Sequence, residues 1–375
     1  MNMLGLIFAD KHNNDIGELT ARRTFAALPF GARYRLIDFF ISNMTNSGVR
    51  NIGVVATTKY ESLMGHVRYG GEWDLDRRKS GIIVLPPFSF FSGEVRYENI
   101  LEALQANIAY ISESKEPYVL FTCCDAIGNI DYAAMLDAHV KSGARFTCLC
   151  TKNPLNKEPG IETTEFVAGP DGKITDILIH DGADVPTPGA YTGTHTYIMG
   201  RDDLLDILEE SIDHKKTSLR RDVLKPALAD SKVMAYVTDE TLMFIDSEAS
   251  YLKSNLDLLN SDIRRELFCQ ELRPIITRAG NSSPAYYSDD SVTTNSIIAA
   301  GSTIEGTVRN SIIFRGVHIK KGAVVENCVI NQDCTIGEGA VLNYAVLDKN
   351  VNINDKRLLS GYITHPFYVK KGSVI

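Results

Sequence analysis

The sequence lacks the features that mark membrane, secreted and nucleic-acid-binding proteins. No apolar run approaches the ~20 residues that a membrane-spanning helix needs. No basic segment precedes the short apolar stretch near the N-terminus, so no secretory signal is expected. The net charge is −8, which disfavours binding to nucleic acid or to anionic lipid. We therefore expect a cytoplasmic protein with neither a membrane nor a nucleic acid as its partner.

Cysteine pairs of the kind that bind metal are also missing. The chain has seven cysteines, an odd number, and no CxxC pair. Cys123 and Cys124 are adjacent and cannot easily bridge to each other, while Cys148 and Cys150 lie in FTCLC, which is typical of a strand interior. The cysteines are therefore predicted to be reduced, buried thiols.

What the sequence does contain is an alternation of strand and helix patterns up to about residue 250. With 375 residues, it is long enough for two domains. A domain over residues 1–250 with a mostly parallel sheet covered on both faces is predicted, and such sheets bind ligands beyond the carboxyl ends of their strands. The predicted strands are 6–9, 51–56, 118–122 and 146–150, and the predicted helices are 37–48, 99–114 and 131–143.

The rest of the chain has a different period. Residues 251–290 form a transitional region with a predicted helix and a polar linker. The helical pattern is SYLKSNLDLLNSDIRRELF, residues 250–268. Residues 310–326, 327–343 and 344–360 are three blocks of 17 residues with superposable aliphatic positions. Steps of six, six and five residues predict a parallel β-helix over residues 291–375. The superposed positions are Val308, Val325 and Leu342; Ile313, Ile330 and Leu347; and Ile319, Ile336 and Ile353.

The loop after the first strand is unusual for an α/β protein. This position commonly holds a glycine-rich phosphate cradle, but here no glycine follows the first strand until Gly17. Carboxylates oppose a triphosphate wherever water is excluded, so the loop is predicted to bind phosphate poorly. Its residues are Asp10, Lys11, His12, Asn13, Asn14 and Asp15.

Three segments carry a resemblance to a known family: PFGARYRLIDFFISNMTNSGVRNIGV (29–54), DYAAMLDAHVKSGA (131–144) and the β-helix repeats. The chain resembles the bacterial glucose-1-phosphate adenylyltransferases, which make ADP-glucose and pyrophosphate from ATP and glucose 1-phosphate. The resemblance implies an α/β Rossmann-like nucleotidyltransferase domain, with a mixed, mostly parallel sheet, followed by a left-handed parallel β-helix.

The sequence departs from that family where the chemistry is performed. The family's first loop reads G-G-x-G-x-R, and its glycines become Asp10, Lys11 and Asn13 while its arginine becomes Asp15. Its glycine before the central aspartate aligns with Cys124. The family's sugar-phosphate lysine aligns with His180, marking that residue as a remnant of the sugar-phosphate pocket.

Two acidic residues match the pair that holds Mg²⁺ in the family, namely Asp125 and Asp246. A residual Mg²⁺ site is one expectation. The alternative is structural: Asp125 caps the following segment and Asp246 begins a helix.

This pattern of losses resembles the GlgD-type subunit of glycogen synthesis. The resemblance implies a regulatory chain, inactive or very weak alone, that forms a heterotetramer with a catalytic subunit, or a homodimer without it. Two other readings stay open: an active sugar-phosphate nucleotidyltransferase that uses Mg²⁺, and a β-helix assembly scaffold without a small-molecule role.

Four arginines lie within fourteen residues, and they are Arg22, Arg23, Arg33 and Arg35. In the catalytic relatives, residues matching the first, second and fourth contribute to an anionic effector site between the two domains. Planar guanidinium groups suit phosphate, so a phosphorylated effector is one expectation. The alternative is a solvated basic face, or salt bridges to a partner.

Further candidates are weaker. Arg220 and Arg221, in SLRRD, either contact an anion or begin a surface helix, and the second is the commoner role. His195 is isolated in the sequence and is expected to be structural.

Overall fold

The computed structural model describes residues 2–10, 16–57, 59–77, 80–86, 97, 99–153, 161–181, 184–230 and 232–375. The strands of the first domain are β1 (Met3–Phe8), β2 (Pro29–Phe30), β3 (Tyr34–Arg35), β4 (Asn51–Val55), β5 (Gly81–Leu85), β6 (Tyr118–Cys123), β7 (Ala126–Ile127), β8 (Phe146–Thr151), β9 (Glu162–Ala168), β10 (Ile174–Asp181), β11 (Tyr191–Gly200), β12 (Val233–Thr238) and β13 (Met243–Phe244). The α-helices are α1 (Leu36–Asn46), α2 (Glu61–Val67), α3 (Ile100–Ala106), α4 (Ile108–Glu113), α5 (Tyr132–Ser142), α6 (Arg201–Asp213), α7 (Lys225–Asp230), α8 (Glu248–Asp257) and α9 (Ser261–Phe268). Short 3₁₀ helices span Gly17–Leu19, Phe25–Ala27 and Gly71–Trp73, and a π-helical segment spans Leu219–Leu224. No helix among these residues is long and apolar enough to cross a bilayer.

The main sheet of the first domain is mixed and mostly parallel, which confirms the prediction. Its order is β10-β9-β11-β6-β1-β4-β5, with β8 paired to β11 and β12 paired to β8. Strands β6, β1, β4 and β5 are parallel neighbours. Strands β10 and β11 run against the other described strands. The carboxyl ends of β1, β4 and β6 therefore meet at one edge.

Strand β1 lies at the centre of this sheet and is buried on both faces. Its Ile7 packs in one core cluster with α1, while Leu6 and Phe8 pack in a second cluster with α3 and α6. Helices cover both faces because alternate side chains of a central strand point to opposite sides. This packing fixes the position of the loop that follows β1.

Asparagines divide two of the predicted helices. The helix predicted over 99–114 is split at Asn107, whose side chain donates to Ala103 O at 2.8 Å. The helix predicted over 250–268 is split before Asn260, whose side chain accepts from Asp262 N at 2.9 Å and caps α9. Asparagine competes with the helix for backbone hydrogen bonds, so it favours such boundaries. Helix α5 ends on Gly143 in the left-handed conformation, as its pattern predicts.

The C-terminal domain is a left-handed parallel β-helix, as predicted. Its strands form three five-stranded sheets, and the superposed aliphatic positions are register partners with buried side chains. Pairing of Tyr286 with Thr303 places the first strand of the coil ahead of residue 291. The sheets are β14 (Tyr286–Tyr287), β17 (Thr303–Ile304), β20 (His318–Ile319), β23 (Thr335–Ile336) and β26 (Asn352–Ile353); β15 (Val292–Thr294), β18 (Thr307–Arg309), β21 (Val324–Glu326), β24 (Val341–Asn343) and β27 (Leu358–Ser360); and β16 (Ile297–Ile298), β19 (Ile312–Ile313), β22 (Val329–Ile330), β25 (Ala345–Leu347) and β28 (Phe367–Val369).

The third of these sheets packs against the first domain. Within it, Ile313 and Ile330 fill the inside of the coil, while Ile312, Val329 and Val346 belong to the same core cluster as the residues of α1. Two adjacent aliphatic residues per strand therefore serve two cores, one within the coil and one between the domains. Outer residues of the other two sheets, such as His318, are more exposed.

A buried ion pair lies at this domain junction. Arg23 Nη2 donates to both carboxylate oxygens of Asp348, at 2.7 Å each, and the two side chains are 5% and 4% exposed. Tyr368 also donates to Asp348 at 3.3 Å. Arg23 Nη1 has no hydrogen-bond partner within the described part of the chain. A buried pair tolerates the loss of one partner poorly, because the other charge stays out of water.

Lys349, the neighbour of Asp348, lies among cations. Burial, together with the nearby charges of Arg35 and Arg23, lowers the pKa of Lys349 to about 8, and the Asp348 carboxylate opposes this shift. Burial likewise lowers the pKa of Arg35 to about 10. The junction therefore concentrates positive charge around one carboxylate.

The first prediction concerns the Arg23–Asp348 pair. Asp348→Asn is expected to lower the free energy of unfolding by about 3 kcal/mol or more, because it leaves the Arg23 guanidinium buried and uncompensated. Urea unfolding measures this loss. Arg23→Met in the same chain should recover part of it, since the orphaned charge is then gone.

The matched control is the exposed pair of Arg309 and Glu326, joined at 2.7 Å on the coil surface. Glu326→Gln should change the free energy of unfolding by less than about 1 kcal/mol. Equal losses from Asp348→Asn and Glu326→Gln would contradict a special role for the buried pair.

The second prediction concerns Lys349. At pH 7 the Lys349 ammonium is charged in both the folded and the unfolded chain, so folding includes the full cost of removing this charge from water. Lys349→Met removes that cost and should raise the free energy of unfolding by about 2 kcal/mol. Above pH 8 the folded chain releases this proton while the unfolded chain keeps it until about pH 10.5, so the difference should shrink over that window. Urea unfolding of both proteins from pH 6 to 10 measures it, with Lys356→Met at an exposed position as the control. A difference that is constant with pH would count against the buried ammonium.

Candidate functional site

The candidate site lies at the edge where β1, β4 and β6 end. Asp10 follows β1, and its carboxylate accepts from Thr57 N at 2.7 Å and from Thr57 Oγ1 at 2.8 Å. Thr57 follows β4, so this contact joins two strand ends. Lys11, His12, Asn13, Asn14 and Asp15, the rest of the predicted degenerate loop, lie outside the described residues.

A buried thiol, that of Cys124, follows the end of strand β6. Cys124 is 2% exposed, and burial, with the charges of Asp125 and Asp10 nearby, raises its pKa well above the usual value for a thiol. Six of the seven cysteines are buried, and Cys269 is exposed. Cys124 therefore places a buried side chain at the position where the resemblance to the family leads us to expect a glycine.

Asp125 is engaged by a histidine from a neighbouring strand. Its Oδ2 lies 2.9 Å from His195 Nδ1, and the Asp125 side chain is 4% exposed. His195 has φ of +53°, at the irregularity of β11 between Gly193 and Tyr197. An L-residue adopts this conformation at a cost, and such strain is typical of functional sites.

Buried threonines hold His195 in place from both sides. Thr194 Oγ1 donates to Leu149 O at 3.0 Å, and Thr196 Oγ1 shares a 2.7 Å hydrogen bond with Thr122 Oγ1. The contact of His195 with Asp125 was not predicted, because a strand pattern does not reveal where a bulge rotates one side chain toward a neighbouring strand.

Asp246 is brought to the same place by a two-stranded ribbon. Strands β7 and β13 pair antiparallel, and Ile245 N donates to Asp125 O at 3.0 Å. Asp125 and Asp246 therefore flank one end of the ribbon, as the metal-pair prediction requires. Helix α8 is capped by Ser247 rather than by Asp246, whose backbone N donates to Ser250 Oγ at 2.8 Å.

The fit of Mg²⁺ to this pair is limited by His195. Carboxylate oxygens are the ligands that Mg²⁺ prefers, and Asp125 and Asp246 would supply them. Asp125 Oδ2 is instead bound to an imidazole, so a metal ion would have to compete for that oxygen. No group of three or more metal-ligating His, Cys, Asp or Glu side chains occurs within the described residues.

His180 lies on β10 and contacts carboxylates of the chain itself. Its Nε2 is 3.3 Å from Glu165 Oε2, and its Nδ1 is 3.5 Å from Asp184 Oδ2. Glu165 is 3% exposed and also accepts from Thr187 N at 3.1 Å. A histidine between two acids is poorly placed to attract a sugar phosphate, because the nearby charges repel that anion.

Arg220 and Arg221 also contact an acid of the chain. Both guanidinium groups bind Glu162 at the start of β9, with Arg221 Nη2 at 2.5 Å from Oε2. Arg220 Nη1 donates to Thr164 Oγ1 at 2.5 Å and lies 3.4 Å from His195 Nε2. Both arginines lie at the start of the helical segment Leu219–Leu224, which Ser218 caps, so the commoner of the two expected roles is confirmed. They also contact an anionic group, and that group is a carboxylate of the chain itself.

Two of the four arginines of the predicted effector site lie together. Arg23 and Arg35 lie at the domain junction near Lys349, and Arg35 Nη1 donates to Ser62 O at 2.6 Å. Arg22 is exposed. Arg33 is exposed as well, and its guanidinium lies 6.0 Å from the centre of the Tyr34 ring.

Two family models match the chain in the order that the fold shows. Residues 16–242 match the model described as nucleotidyl transferase, and residues 285–360 match the model described as GlmU-like, C-terminal hexapeptide. The first match covers most of the α/β domain and the second covers most of the coil.

Relatives of known name share this arrangement. The glucose-1-phosphate adenylyltransferase of Geobacillus stearothermophilus is 31% identical over 335 residues, which cover 86% of this chain and 83% of the relative. The enzymes of the same name from Fervidobacterium nodosum and Clostridium botulinum are each 30% identical, over 87% of this chain and 78% and 83% of their own lengths. By fold, by the strand ends that form its candidate site and by these similarities, the chain belongs to the glucose-1-phosphate adenylyltransferase family of nucleotidyltransferases.

Proposed function

We propose that the chain is a regulatory, largely non-catalytic subunit of glucose-1-phosphate adenylyltransferase in glycogen biosynthesis. It assembles with a catalytic subunit into a heterotetramer and modulates the conversion of ATP and glucose 1-phosphate to ADP-glucose and diphosphate. The proposal goes beyond family membership in assigning this role and this partner.

One observation carries the proposal: three charged side chains near the strand ends contact other groups of the chain itself. Asp125 is bound to His195, Asp10 to Thr57, and Arg220 to Glu162. A nucleotidyltransferase needs such groups to face the phosphates and the metal ion, since positioning and electrostatic stabilisation are its main contributions to phosphate chemistry. Contacts of this kind support the loss of this task by the cleft, the name used here for the space beyond the carboxyl ends of β1, β4 and β6.

Regulation is assigned to the domain junction. Arg23, Arg35 and Lys349 form an excess of positive charge there, with Asp348 as the acid bound to Arg23. A phosphorylated effector is attracted to such a group, because its negative charge lowers the cost of holding the partly buried Lys349 ammonium. The proposed site includes Arg22, which is exposed and precedes Arg23 in the chain, and leaves out Arg33, which lies over the Tyr34 ring.

A second candidate is an active nucleotidyltransferase that uses Mg²⁺. The observation in its favour is the ribbon of β7 and β13, which brings Asp125 and Asp246 together. On this alternative His195 leaves Asp125 when the metal ion and ATP bind.

The third prediction tests the subunit role. ADP-glucose formation is measured with the pure chain, with a catalytic subunit from the same organism, and with their mixture. The pure chain should form little or no product, and the mixture should exceed the catalytic subunit alone or change its response to effectors. Both chains should elute together on sizing.

Strong turnover by the pure chain, lost in Asp246→Asn, would reject the regulatory role in favour of the active enzyme. Neither complex formation nor stimulation in the mixture would favour an assembly scaffold instead.

The fourth prediction tests the effector site. Fructose 1,6-bisphosphate is titrated into the pure chain at pH 8, by calorimetry in buffers of different ionisation enthalpy. Binding should take up protons, because the ligand raises the pKa of Lys349, which is about 8 in the free chain. Lys349→Met should abolish the proton uptake, whereas Lys356→Met should not. Binding without proton uptake would place the ligand elsewhere.

A further inference from the structure

Two guanidinium groups converge on one carboxylate at the start of β9. Arg220 and Arg221 are adjacent in the π-helical segment Leu219–Leu224, and both bind Glu162 on β9. Ser218 caps the segment by accepting from Arg221 N at 3.2 Å. The side chains of Arg220, Arg221 and Glu162 are 22%, 59% and 36% exposed, so a small solute has access to them.

A chain of side-chain contacts joins Arg220 to Asp125 at the end of β6. Arg220 Nη1 lies 3.4 Å from His195 Nε2, and His195 Nδ1 lies 2.9 Å from Asp125 Oδ2. A further contact, from Arg220 Nη1 to Thr164 Oγ1, fixes the guanidinium on the strand side. The run of side chains therefore joins four elements of the α/β domain, namely β9, β11, the π-helical segment and the end of β6.

The arrangement is that of an anion site whose anion belongs to the chain. Two arginines that present planar donors to the two oxygens of one carboxylate are positioned as they would be for phosphate oxygens. A phosphomonoester offers three such oxygens and up to two charges, so it suits two guanidinium groups better than a single carboxylate does. The carboxylate of Glu162 has the advantage of being tethered, which gives it a high local concentration.

We infer that Arg220 and Arg221 form a latent phosphate-binding pair and that Glu162 is its internal competitor. The ligand class is a phosphomonoester such as a sugar phosphate, admitted when Glu162 turns away and excluded while Glu162 remains bound. The inference extends the proposed function, since it gives the physical means by which the cleft excludes a sugar phosphate. It concerns the pure chain and does not require a catalytic partner.

The fifth prediction is made for Glu162→Gln, which keeps the shape of the side chain and removes its charge. Calorimetry of the pure, full-length variant with glucose 1-phosphate at low salt should show binding at least about tenfold tighter than in the unmodified chain. Inorganic phosphate should gain in the same direction. The gain should fall as salt is added, because partly exposed charges are screened.

Two further variants make the result specific. Adding Arg221→Gln to Glu162→Gln should return the affinity to that of the unmodified chain. Glu326→Gln, which releases the single exposed Arg309 on the coil, should give no gain. Every measurement is repeated in chains that carry Lys349→Met, so that binding at the domain junction does not contribute.

A folded Glu162→Gln protein that binds no more tightly than the unmodified chain would overturn the inference. So would a gain that persists after Arg221→Gln. Neither result bears on the regulatory role, which is decided by activity in the mixture with a catalytic subunit.

Discussion

The packing of one β-helix sheet on the α/β domain is the constraint on which the rest of the structure depends. Ile312, Val329 and Val346 point out of the coil and into the core shared with α1. Once this surface is closed, Arg23 of the first domain and Asp348 of the second are shut out of water together. Burying two charges is tolerable only when they are paired, so the register of the coil fixes the position of the ion pair and of Lys349 beside it.

The core of the α/β domain is independent of the residues at its strand ends. All six residues of β1 are buried and belong to the sheet, whereas Asp10, immediately after Ala9, lies at the edge. Hydrophobic burial stabilises the sheet without reference to the loops. The strand ends are therefore able to lose the groups that phosphate chemistry needs while the fold and the docking of the coil persist.

The parts of this structure that depend on a period were predictable from the sequence. The 17-residue repeat specified the coil, and the aliphatic runs specified β1, β4, β6 and β8. The breaks at Asn107 and before Asn260 were not predicted, because a helical period continues across a single polar residue. Contacts such as Glu162 with Arg220 join residues far apart in the chain, and a residue's type reveals its charge but not its partner.

The cleft and the domain junction differ in how completely their charged side chains are paired. In the cleft, Glu162 contacts two arginines and His195 contacts Asp125, so these charged side chains already have partners within the chain. At the junction, burial lowers the pKa of Lys349 to about 8 in the company of Arg35 and Arg23, so an added anion relieves a cost that the fold leaves in place. A ligand gains most where it replaces an unfavourable interaction rather than a favourable one. The proposed effector site is therefore assigned to the junction, whereas a ligand of the cleft must first displace one of the chain's own contacts.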